Sequence, residues 1–400
     1  MISTEEALKK LLRLVKKKSK HRVPIEDCAD RILANDLVAK HSQPPFSASS
    51  MDGYALKSKN KNPGTILRIV GECAAGKSFN GILKNNEAVK IFTGAPLPQG
   101  ADCVVIKEDV TVQNNFVKIN ETIEFNNFIR EKGMDFRKGY ILKAPTKIRP
   151  ATASLIAAMN YNEILVYEKP SVAIIPTGHE LVKPGTKLPP NKIIASNSYG
   201  IAAMLKSFGA EPHLFPITDD DVPSIQGKIN EASNCDLILT IGGASVGDHD
   251  LIVKSAKLIG LKLAFHSIAM RPGKPLLAGI INKKVLVGLP GNPISSLLCC
   301  YLMVKPVIEK MLGLGSTTNK LRIYARLGNQ LKKNGMRDHF IRAMLKNEDG
   351  SFIVYPLKQQ DSSLITTLNG ANALIPRKAL APAVQVGDSV EVFPFYTEFS

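Results

Sequence analysis

The sequence predicts a multidomain protein of the α/β plus β class, with a parallel α/β domain between an N-terminal region that contains a β lobe and a small C-terminal β domain. Three observations predict this class. A chain of 400 residues is too long for one ordinary hydrophobic core. From residue 169 to about residue 315, strand-like and helix-like segments alternate at the spacing of βαβ units. On both sides, short strand-like segments are separated by Gly, Pro and Asn, which is typical of β structure.

The N-terminal region is predicted to extend over residues 1–168. Its two ends, 1–43 and 141–168, are expected to be helical, and the β lobe is expected over about 44–140, where "TILRIVGEC" and "NFVKIN" read as strands. Ser3 and Glu6 have the spacing of a capping box before an amphipathic pattern, so a helix is expected to begin there. The segment "RPATASLIAAMNYNEILVYE" predicts a short helix that leads into a strand.

The α/β domain is predicted over residues 169–315 and the C-terminal β domain over 316–400. Expected strands of the α/β domain are "SVAIIP", "AEPHLFPI", "CDLILTIGG" and "KKVLVGLPG", and expected helices are "NSYGIAAMLKSFG", "SIQGKINEAS" and "DLIVKSAKLIG". The C-terminal strands are expected in "LRIYARLG", "HFIRAMLK", "SFIVYPL" and "DSVEVFPF". Because ligands of parallel sheets bind outside the carboxyl ends of the strands, the loops after the α/β strands are the expected site.

The net charge of +17 indicates an anionic ligand or partner. A nucleic-acid-binding protein is one alternative, but the chain has no Trp, no aromatic–basic ladder and no recognisable reading motif. Basic residues are concentrated in the first helix, which suits a membrane surface, yet a terminal helix with a solvated face is the preferred interpretation. We therefore expect a small anionic ligand, with no nucleic acid and no membrane.

The cysteine pattern predicts a cytoplasmic protein without a structural zinc site. The six cysteines include no CxxC pair and no histidine at ligand spacing. The N-terminus lacks a signal-peptide core, and no apolar run reaches the roughly 18 residues of a membrane span.

The loop "GLPGNPISS" follows an apolar strand and precedes an apolar helix. Asn292 suits the N-cap and Pro293 the first helical position, so free backbone N–H groups are expected to face the loop. Pro290 stiffens the turn, Gly291 permits close approach of a ligand, and Ser295 adds a hydroxyl. A well-capped helix with a stiff entry turn explains the same residues without a ligand.

The loop "TIGGASVGDHD" combines glycines with carboxylates. Its small residues are Gly242, Gly243, Ser245 and Gly247, and the acids Asp248 and Asp250 follow at once. Glycine loops suit phosphate, whereas carboxylates repel it unless a cation intervenes. The combination therefore predicts Mg²⁺ that joins Asp248 or Asp250 to phosphate oxygens. Helix capping by one of these acids is the alternative.

Two further loops carry polar groups at the same predicted edge. "RPGKP" places Arg271 and Lys274 around a stiff turn that includes Pro275, as an oxyanion would require, although a solvated turn explains the pattern equally well. "TGHEL" adds Thr177, Gly178 and Glu180. In the β lobe, the candidate polar groups are Asp52, Thr93 and Asp135.

Taken together, these stretches resemble the MoeA family, the molybdopterin molybdenumtransferases of molybdenum cofactor biosynthesis, to which the C-terminal part of gephyrin also belongs. The resemblance covers nearly the whole chain. It runs in family order through "SSMDGYA", "FTGAPLPQGADCVV", "REKGMDFRKG", "TGHEL", "GGASVGDHD", "RPGKP", "GLPGNPISS" and "QQDSSLITTLNGANALIP". Each motif is weak alone, and eight in order are strong.

The resemblance implies insertion of molybdate into adenylylated molybdopterin with release of AMP, and Mg²⁺ as cofactor. It implies a MogA-like α/β domain, that is, one like the molybdopterin adenylyltransferase that acts one step earlier and that is a possible contact partner. Family members are homodimers whose cleft combines the N-terminal lobe of one chain with the α/β and C-terminal domains of the other.

Carried over residue by residue, the resemblance assigns two sets of side chains. The cleft is expected to contain Asp52, Thr93, Asp135, Glu180, either Asp219 or Asp220, and Asp250. Molybdate is expected to contact Lys274, Ser295, Arg337 and Ser362, beside the family loops that hold Lys274, Pro275, Pro290 and Pro293.

Three positions depart from the family pattern. Arg271 stands where the family usually has lysine, so a planar fork replaces a point charge. Val253 stands where a lysine is usual, and Lys254 is displaced by about 100° on a helix. Asp361 replaces glycine just before Ser362, which requires its carboxylate to point away from a bound oxyanion. A non-catalytic gephyrin-like scaffold and a molybdopterin adenylyltransferase are the alternative functions.

Overall fold

The structure is a computed structural model that describes residues 1–123, 126–243, 251–315 and 322–395. It forms two compact units. One consists of Met1–His21 and Tyr167–Ser400, and the other of Arg22–Val166. Within the described residues, no helix combines the length and the hydrophobicity of a membrane span.

The chain begins with helix α1 (Thr4–Leu14), as the capping-box spacing predicts. The Ser3 Oγ accepts a hydrogen bond from the Glu6 N–H at 3.1 Å, and the helix buries Ala7 and Leu11. The remainder of the predicted helical end 1–43 contains no further α helix. It carries short strands instead, because these segments pair with strands from residues 141–167.

A partly buried ion pair fixes the segment after α1. The Lys18 Nζ lies 2.8 Å from the Asp236 carboxylate, and the two side chains are 21% and 19% exposed. Asp236 also accepts hydrogen bonds from the Ser171 N–H and hydroxyl at 2.9 and 3.0 Å. Burial disfavours the ionised carboxyl, but the bonds from Lys18 and Ser171 outweigh it and lower the pKa of Asp236.

We expect Asp236→Asn to lower the free energy of unfolding by roughly 2–3 kcal/mol at neutral pH, because the partly buried Lys18 ammonium loses the nearer of its two carboxylate partners, the other being Glu168 at 3.7 Å. A depressed folded pKa stabilises the fold above the unfolded value of about 3.9 and loses that effect as pH falls through the folded pKa. The difference from wild type in urea unfolding should therefore shrink in acid.

The matched control is Glu231→Gln, which breaks an exposed pair with Lys228 and should change stability by at most about 0.5 kcal/mol. An Asp236→Asn loss equal to that of the control would show that the ion pair does not stabilise the unit.

The Arg22–Val166 unit is mainly β structure around one helix, α2 (Pro150–Ala158). Its strands, some of only two residues, are β1 (Lys20–Pro24), β2 (Ile32–Leu33), β3 (Leu37–Val38), β4 (Ala48–Ser49), β5 (Gly53–Leu56), β6 (Ile66–Cys73), β7 (Glu87–Ile91), β8 (Cys103–Ile106), β9 (Val110–Gln113), β10 (Phe116–Ile119), β11 (Ile129–Arg130), β12 (Ile141–Leu142), β13 (Thr146–Lys147) and β14 (Glu163–Tyr167).

The predicted β lobe is a six-stranded sheet of order β8-β5-β7-β6-β10-β9. Apolar clusters cover its two faces, since Tyr54 and Leu56 pack in one cluster and Ala55 packs in the other. A second, four-stranded sheet of order β1-β14-β2-β13 joins the two ends of the predicted N-terminal region. The short ladder β4–β11 ties the segment before Asp52 to the segment before Asp135.

The α/β part contains the predicted alternation of strands and helices. Its strands are β15 (Ser171–Pro176), β16 (Leu181–Val182), β17 (Ile193–Ile194), β18 (Glu211–Leu214), β19 (Leu237–Ile241), β20 (Lys262–Phe265), β21 (Met270–Arg271), β22 (Leu277–Ile281) and β23 (Lys284–Leu289). Its helices are α3 (Asn197–Ser207), α4 (Val222–Glu231), α5 (Leu251–Leu258), α6 (Pro293–Cys299) and α7 (Lys305–Met311), with a π-helical turn (Cys300–Val304) between the last two.

The main sheet is mixed rather than wholly parallel. Its order is β18-β15-β19-β23-β22-β20, and the first four strands are parallel as predicted. β22 runs antiparallel to both β23 and β20. The reversal is a hairpin whose two loop residues, Asn282 and Lys283, have φ of 48° and 65°, as a two-residue turn with positive φ requires. The sequence lacks the usual glycine at this turn.

The C-terminal part closes into a small barrel. Its strands are β24 (Ile323–Leu327), β25 (Asp338–Glu348), β26 (Ser351–Pro356), β27 (Ala373–Arg377) and β28 (Ser389–Pro394), and its helix is α8 (Ile365–Asn369). The order β25-β26-β24-β28-β27 is closed by pairing of β27 with β25. β21 of the α/β part adds to the outside of β25, so the two parts share a continuous sheet.

Candidate functional site

A cavity of about 760 Å³ opens at the carboxyl ends of the four parallel strands. Its walls are the loops after β15, β18, β19 and β23, the turn before β22, the segment 193–198 at the start of α3, and Ser363. A volume of this size suits a small organic ligand. Eleven of the residues that the sequence singles out line it: Thr177, Glu180, Asp220, Gly242, Gly243, Pro275, Pro290, Gly291, Asn292, Pro293 and Ser295.

The floor of the cavity depends on glycine. Gly242 has φ of 95°, and a Cβ at this position would lie 2.4 Å from the Thr177 carbonyl oxygen. The Thr177 N–H donates to the Ile241 carbonyl at 2.9 Å, which holds the loops after β15 and β19 together. Gly178 donates its N–H to the Thr218 carbonyl at 3.2 Å and ties in the loop after β18. A side chain at Gly242 would force these loops apart.

Two carboxylates lie at one side of the cavity. Burial and the neighbouring Glu180 raise the pKa of Asp220, and its Oδ1 is buried without a hydrogen-bond partner among the described residues. Asp219 instead lies 3.5 Å from His179 Nδ1, and Asp221 caps α4 by accepting from the Ser224 N–H at 2.8 Å. Of the alternatives Asp219 and Asp220, therefore, it is Asp220 that lines the cavity.

The start of α6 differs from its prediction. Asn292 occupies the N-cap position, but its side chain donates to the Ser362 Oγ at 3.2 Å, and the Ile294 N–H donates to the Ser362 carbonyl at 3.0 Å. Pro293 has no N–H to offer. The first helical N–H group is thus satisfied by the C-terminal domain, because a loop of that domain lies across the helix start.

That loop, 359–363, is held by a buried arginine. Arg342 is fully buried, and its guanidinium donates to the Asp361 and Gln359 carbonyls at 3.0 and 3.3 Å. The Asp361 carboxylate accepts from the Ser363 N–H and hydroxyl, bonds that lower its pKa. Its charge is therefore engaged within the loop and not with Ser362, while Ser363 lines the cavity.

The cationic residues of the expected molybdate site lie beside the cavity rather than in its lining. Pro275 and Ser363 line the cavity, and Lys274 and Ser362 precede them directly. The Lys274 carbonyl accepts from the Ile268 and Leu276 N–H groups. Ser295 lines the cavity and is buried.

Arg271 and Arg337 both lie at the joint between the α/β part and the barrel. Arg337 donates to the Met270 carbonyl at 3.4 Å, and Arg271 pairs with His339 in the β21–β25 ladder. The barrel therefore contributes Arg337 to the same side of the unit as the "RPGKP" turn.

Part of the second glycine loop is not covered by the structure. Ser245, Gly247, Asp248 and Asp250 lie outside the described residues. Val253 lies on α5 and is buried in the core, and Lys254 is exposed and not part of the cavity lining. At position 253, where the family usually has lysine, this chain therefore has a buried side chain that packs in the core.

The predicted residues of the β lobe belong to the other unit. The Thr93 N–H and hydroxyl donate to the Asp52 Oδ1 at 2.8 and 2.9 Å, and these bonds lower the pKa of Asp52. Asp135 is exposed, and its N–H donates to the Gln43 carbonyl at 3.0 Å. The lobe therefore presents an ionised Asp52 fixed by Thr93.

Three protein-family models match the chain in succession. The MoeA N-terminal region (domain I and II) matches residues 2–160, a "Probable molybdopterin binding domain" matches residues 173–310, and the MoeA C-terminal region (domain IV) matches residues 324–395.

Two curated relatives and one solved structure are similar over most of their length. The chain is 35% identical to the molybdopterin molybdenumtransferase of Nostoc sp., over 80% of this chain and 76% of that protein. It is 30% identical to the molybdopterin molybdenumtransferase of Bacillus subtilis, over 98% and 93%. The structure of the molybdopterin biosynthesis moeA protein from Pyrococcus horikoshii OT3 has 26% identity and a TM-score of 0.83, and covers 99% of this chain and 100% of that one.

Proposed function

The chain belongs to the MoeA family, and from this premise we propose that it is a molybdopterin molybdenumtransferase of molybdenum cofactor biosynthesis. The substrates are adenylylated molybdopterin and molybdate, and AMP is a product. The observation that carries the proposal is the cavity at the ends of β15, β18, β19 and β23, because glycine turns and two carboxylates line it and the turn that carries Lys274 lies beside it. A phosphorylated pterin nucleotide and an oxyanion need these groups together.

Mg²⁺ fits the carboxylate side of the cavity. Glu180 and Asp220 offer hard oxygen donors, and the Asp220 Oδ1 is buried without a partner among the described residues. No group of three or more His, Cys, Asp or Glu side chains in the described ranges is arranged to hold a metal ion. Magnesium is commonly bound by one or two carboxylates and substrate phosphates, so the substrate would complete the coordination. Asp248 and Asp250 remain proposed Mg²⁺ ligands, and the basis for this proposal is the sequence pattern.

We propose a role for each group that surrounds the substrates. Mg²⁺, when bound, supplies charge neutralisation at the phosphates. Gly242, Gly243 and Gly291 let the ligand approach the backbone, and Lys274, Ser295, Arg337 and Ser362 bind molybdate. Asp52, Thr93 and Asp135 of the β lobe are proposed to join a cleft formed with the second chain of a homodimer.

The proposed step conserves atoms. One molybdate oxygen bonds to the adenylyl phosphorus, and the bond from that phosphorus to the pterin phosphate oxygen breaks. The bond between the transferred oxygen and molybdenum then breaks, which completes AMP. The remaining MoO₃ unit is bound by the two dithiolene sulfurs. No side-chain nucleophile is required, since positioning and charge neutralisation supply most of the effect in phosphoryl transfer.

The experiment that tests the function is product capture. Purified protein is incubated with adenylylated molybdopterin, Mg²⁺ and molybdate, and the pterin product is added to a cofactor-free molybdoenzyme. Recovered molybdoenzyme activity, with molybdenum in the product by mass spectrometry, is the expected result. A product without molybdenum would contradict the proposal.

We propose a cytoplasmic homodimer that contacts a molybdopterin adenylyltransferase. The proposal rests on the family resemblance and on a substrate that this partner enzyme would supply. Light scattering tests the homodimer, and co-elution with the adenylyltransferase in size-exclusion chromatography tests the contact.

A further inference from the structure

Asn197 is the first residue of α3, and its side chain joins two walls of the cavity. Its Nδ2 donates to the Gly291 carbonyl at 2.7 Å, although the two residues are 94 positions apart in the chain. Both residues line the cavity. Asn197 is not among the residues that the sequence singles out. The bond ties the start of α3 to the loop after β23.

This hydrogen bond determines the orientation of the Asn197 amide. A carbonyl oxygen can only accept, so the nitrogen of the amide and not its oxygen must face Gly291. Within the described part of the chain, the bond to Gly291 is the only hydrogen bond of this side chain. One Nδ2 hydrogen is used in it, which leaves one N–H donor and the Oδ1 acceptor for a ligand in the cavity.

The second amide that lines the cavity is not oriented in the same way. The Asn292 Nδ2 donates to the Ser362 Oγ at 3.2 Å. A hydroxyl can donate or accept, so the same contact is compatible with either orientation of the Asn292 amide. Of the two amides, Asn197 is therefore the one whose donor and acceptor are assigned before a ligand binds.

An apolar wall leads up to Asn197. The segment 193–195, with the sequence Ile-Ile-Ala, lines the cavity two residues before it. Two N–H groups of this segment donate to carbonyls of the segment 180–182, at 2.8 and 2.9 Å, which holds the wall in place. An apolar surface beside an oriented amide suits a flat heteroaromatic ring, because the ring packs on the surface and forms hydrogen bonds through its edge.

An amide with one donor and one acceptor matches a particular ring edge, on which an amino group adjoins an unprotonated ring nitrogen. The amino group donates to Oδ1 and the ring nitrogen accepts from Nδ2, as when Asn or Gln binds adenine at N6 and N7. A pterin has the same arrangement at its 2-amino group and the neighbouring ring nitrogen. A 6-oxo purine has two acceptors at the equivalent edge, so its oxygen opposes Oδ1.

We propose that Asn197 is a specificity-determining residue, which binds the amino-bearing edge of the heteroaromatic ring of the ligand and is oriented for this by the Gly291 carbonyl. The inference rests on the proposed function, whose substrate carries both an adenine and a pterin ring. Asn197 selects rings with this amino group against their oxo analogues.

The first test compares the affinities of AMP and inosine monophosphate by calorimetric titration. The two nucleotides share the ribose and the phosphate and differ in a 6-amino or a 6-oxo group. Wild-type protein is expected to bind AMP about 10-fold more tightly, because a pair of hydrogen bonds is replaced by two opposed acceptors. Asn197→Ala should bind the two nucleotides with affinities within about threefold of each other.

The second test distinguishes the two rings. Pterin-6-carboxylate and lumazine-6-carboxylate differ in a 2-amino or a 2-oxo group, and their fluorescence reports binding. A wild-type preference for the pterin that is lost in Asn197→Ala assigns Asn197 to the pterin ring. A preference for AMP that is lost in the variant assigns it to the adenine ring. Either result supports the inference.

The ratio of affinities separates recognition of the ring from a structural role. If Asn197 only ties α3 to the loop after β23, its loss lowers the affinities of the amino and oxo ligands equally and leaves their ratio unchanged. The matched control is Asn230→Ala, at an exposed asparagine on α4 outside the cavity lining, which should keep the wild-type ratio. Thermal unfolding checks that both variants are folded.

Three outcomes would overturn the inference. They are an unchanged ratio in Asn197→Ala, equal wild-type affinities for the amino and oxo members of both pairs, and absence of binding of all four ligands to the folded wild-type protein.

The inference and the proposed function fail differently. If AMP release requires molybdate but neither ratio depends on Asn197, the function stands and the role of Asn197 is wrong. If AMP is never released from adenylylated molybdopterin while a ratio depends on Asn197, the ring specificity stands and the proposed reaction is wrong.

Discussion

Asp220→Asn is expected to lower the rate of Mg²⁺-dependent AMP release by about 100-fold or more. The substitution keeps the size of the side chain and removes the charge that we propose binds the cation opposite the substrate phosphates. Stability should not fall. Burial and Glu180 raise the folded pKa of Asp220, so its ionisation costs folding free energy once the pH exceeds the unfolded value, and asparagine removes that cost.

The matched control is Asp219→Asn, at an exposed carboxylate that lies next to His179 and outside the cavity lining. It should retain AMP release within about threefold of wild type, well short of a tenfold change. The measurement is single-turnover AMP release over a range of Mg²⁺ concentrations, with thermal unfolding of both variants. Equal losses of rate in the two variants, or a loss of stability that accounts for the rate, would contradict the assignment to Asp220.

Gly242→Ala is expected to destabilise the α/β part by about 4 kcal/mol and to abolish ligand binding. The substitution combines a left-handed backbone with a Cβ placed 2.4 Å from the Thr177 carbonyl oxygen, and each effect costs roughly 1–3 kcal/mol. To relieve this contact, the loops after β15 and β19, which form the cavity floor, must move apart. Urea unfolding measures the first effect, and calorimetric titration with AMP measures the second.

Gly260→Ala is the control that separates the effect of the left-handed backbone from the effect of the Cβ contact. Gly260 also has a left-handed φ, of 93°, but nothing lies within 4 Å of an added Cβ. The substitution should therefore lower the free energy of unfolding by about 1–2 kcal/mol, through the left-handed backbone alone, and should leave ligand binding unchanged. Similar losses of stability in the two variants would show that the close approach of Gly242 to Thr177 is unimportant.

The parallel core of the α/β part was predictable because its signals are local. Apolar runs such as that of β15 end in turns with glycine or proline, and the helices between them have regular periodicity. The hairpin between β22 and β23 was not predictable in the same way. Its turn uses Asn282 and Lys283 in a conformation that glycine usually supplies, so the antiparallel strands are fixed by pairing and not by turn composition.

In the candidate site, too, features set by nearby residues were predictable and contacts between distant residues were not. Loops at the ends of parallel strands converge by topology alone, which is why Thr177, Gly242 and Asn292 were predicted together. The Ser362 carbonyl at the start of α6 comes from about 70 residues along the chain. Sequence periodicity carries no information on that contact.

Arg342 was missed although a sequence signal exists. A basic side chain in the apolar strand "DHFIRAMLK" is unusual at a fully buried position. The structure explains why an arginine is buried there, since its guanidinium donates hydrogen bonds to carbonyls of the loop 359–363. Buried arginines are specified by distant acceptors, so the residue type could be noticed but its role could not.

The most direct test of the proposed transferase reaction is AMP release from adenylylated molybdopterin by the wild-type protein, with molybdate and Mg²⁺ each added and withheld. Release that requires both is the result we predict. Release without molybdate, or no release from a folded protein with intact substrate, would contradict the proposed reaction, and the latter would favour a non-catalytic scaffold.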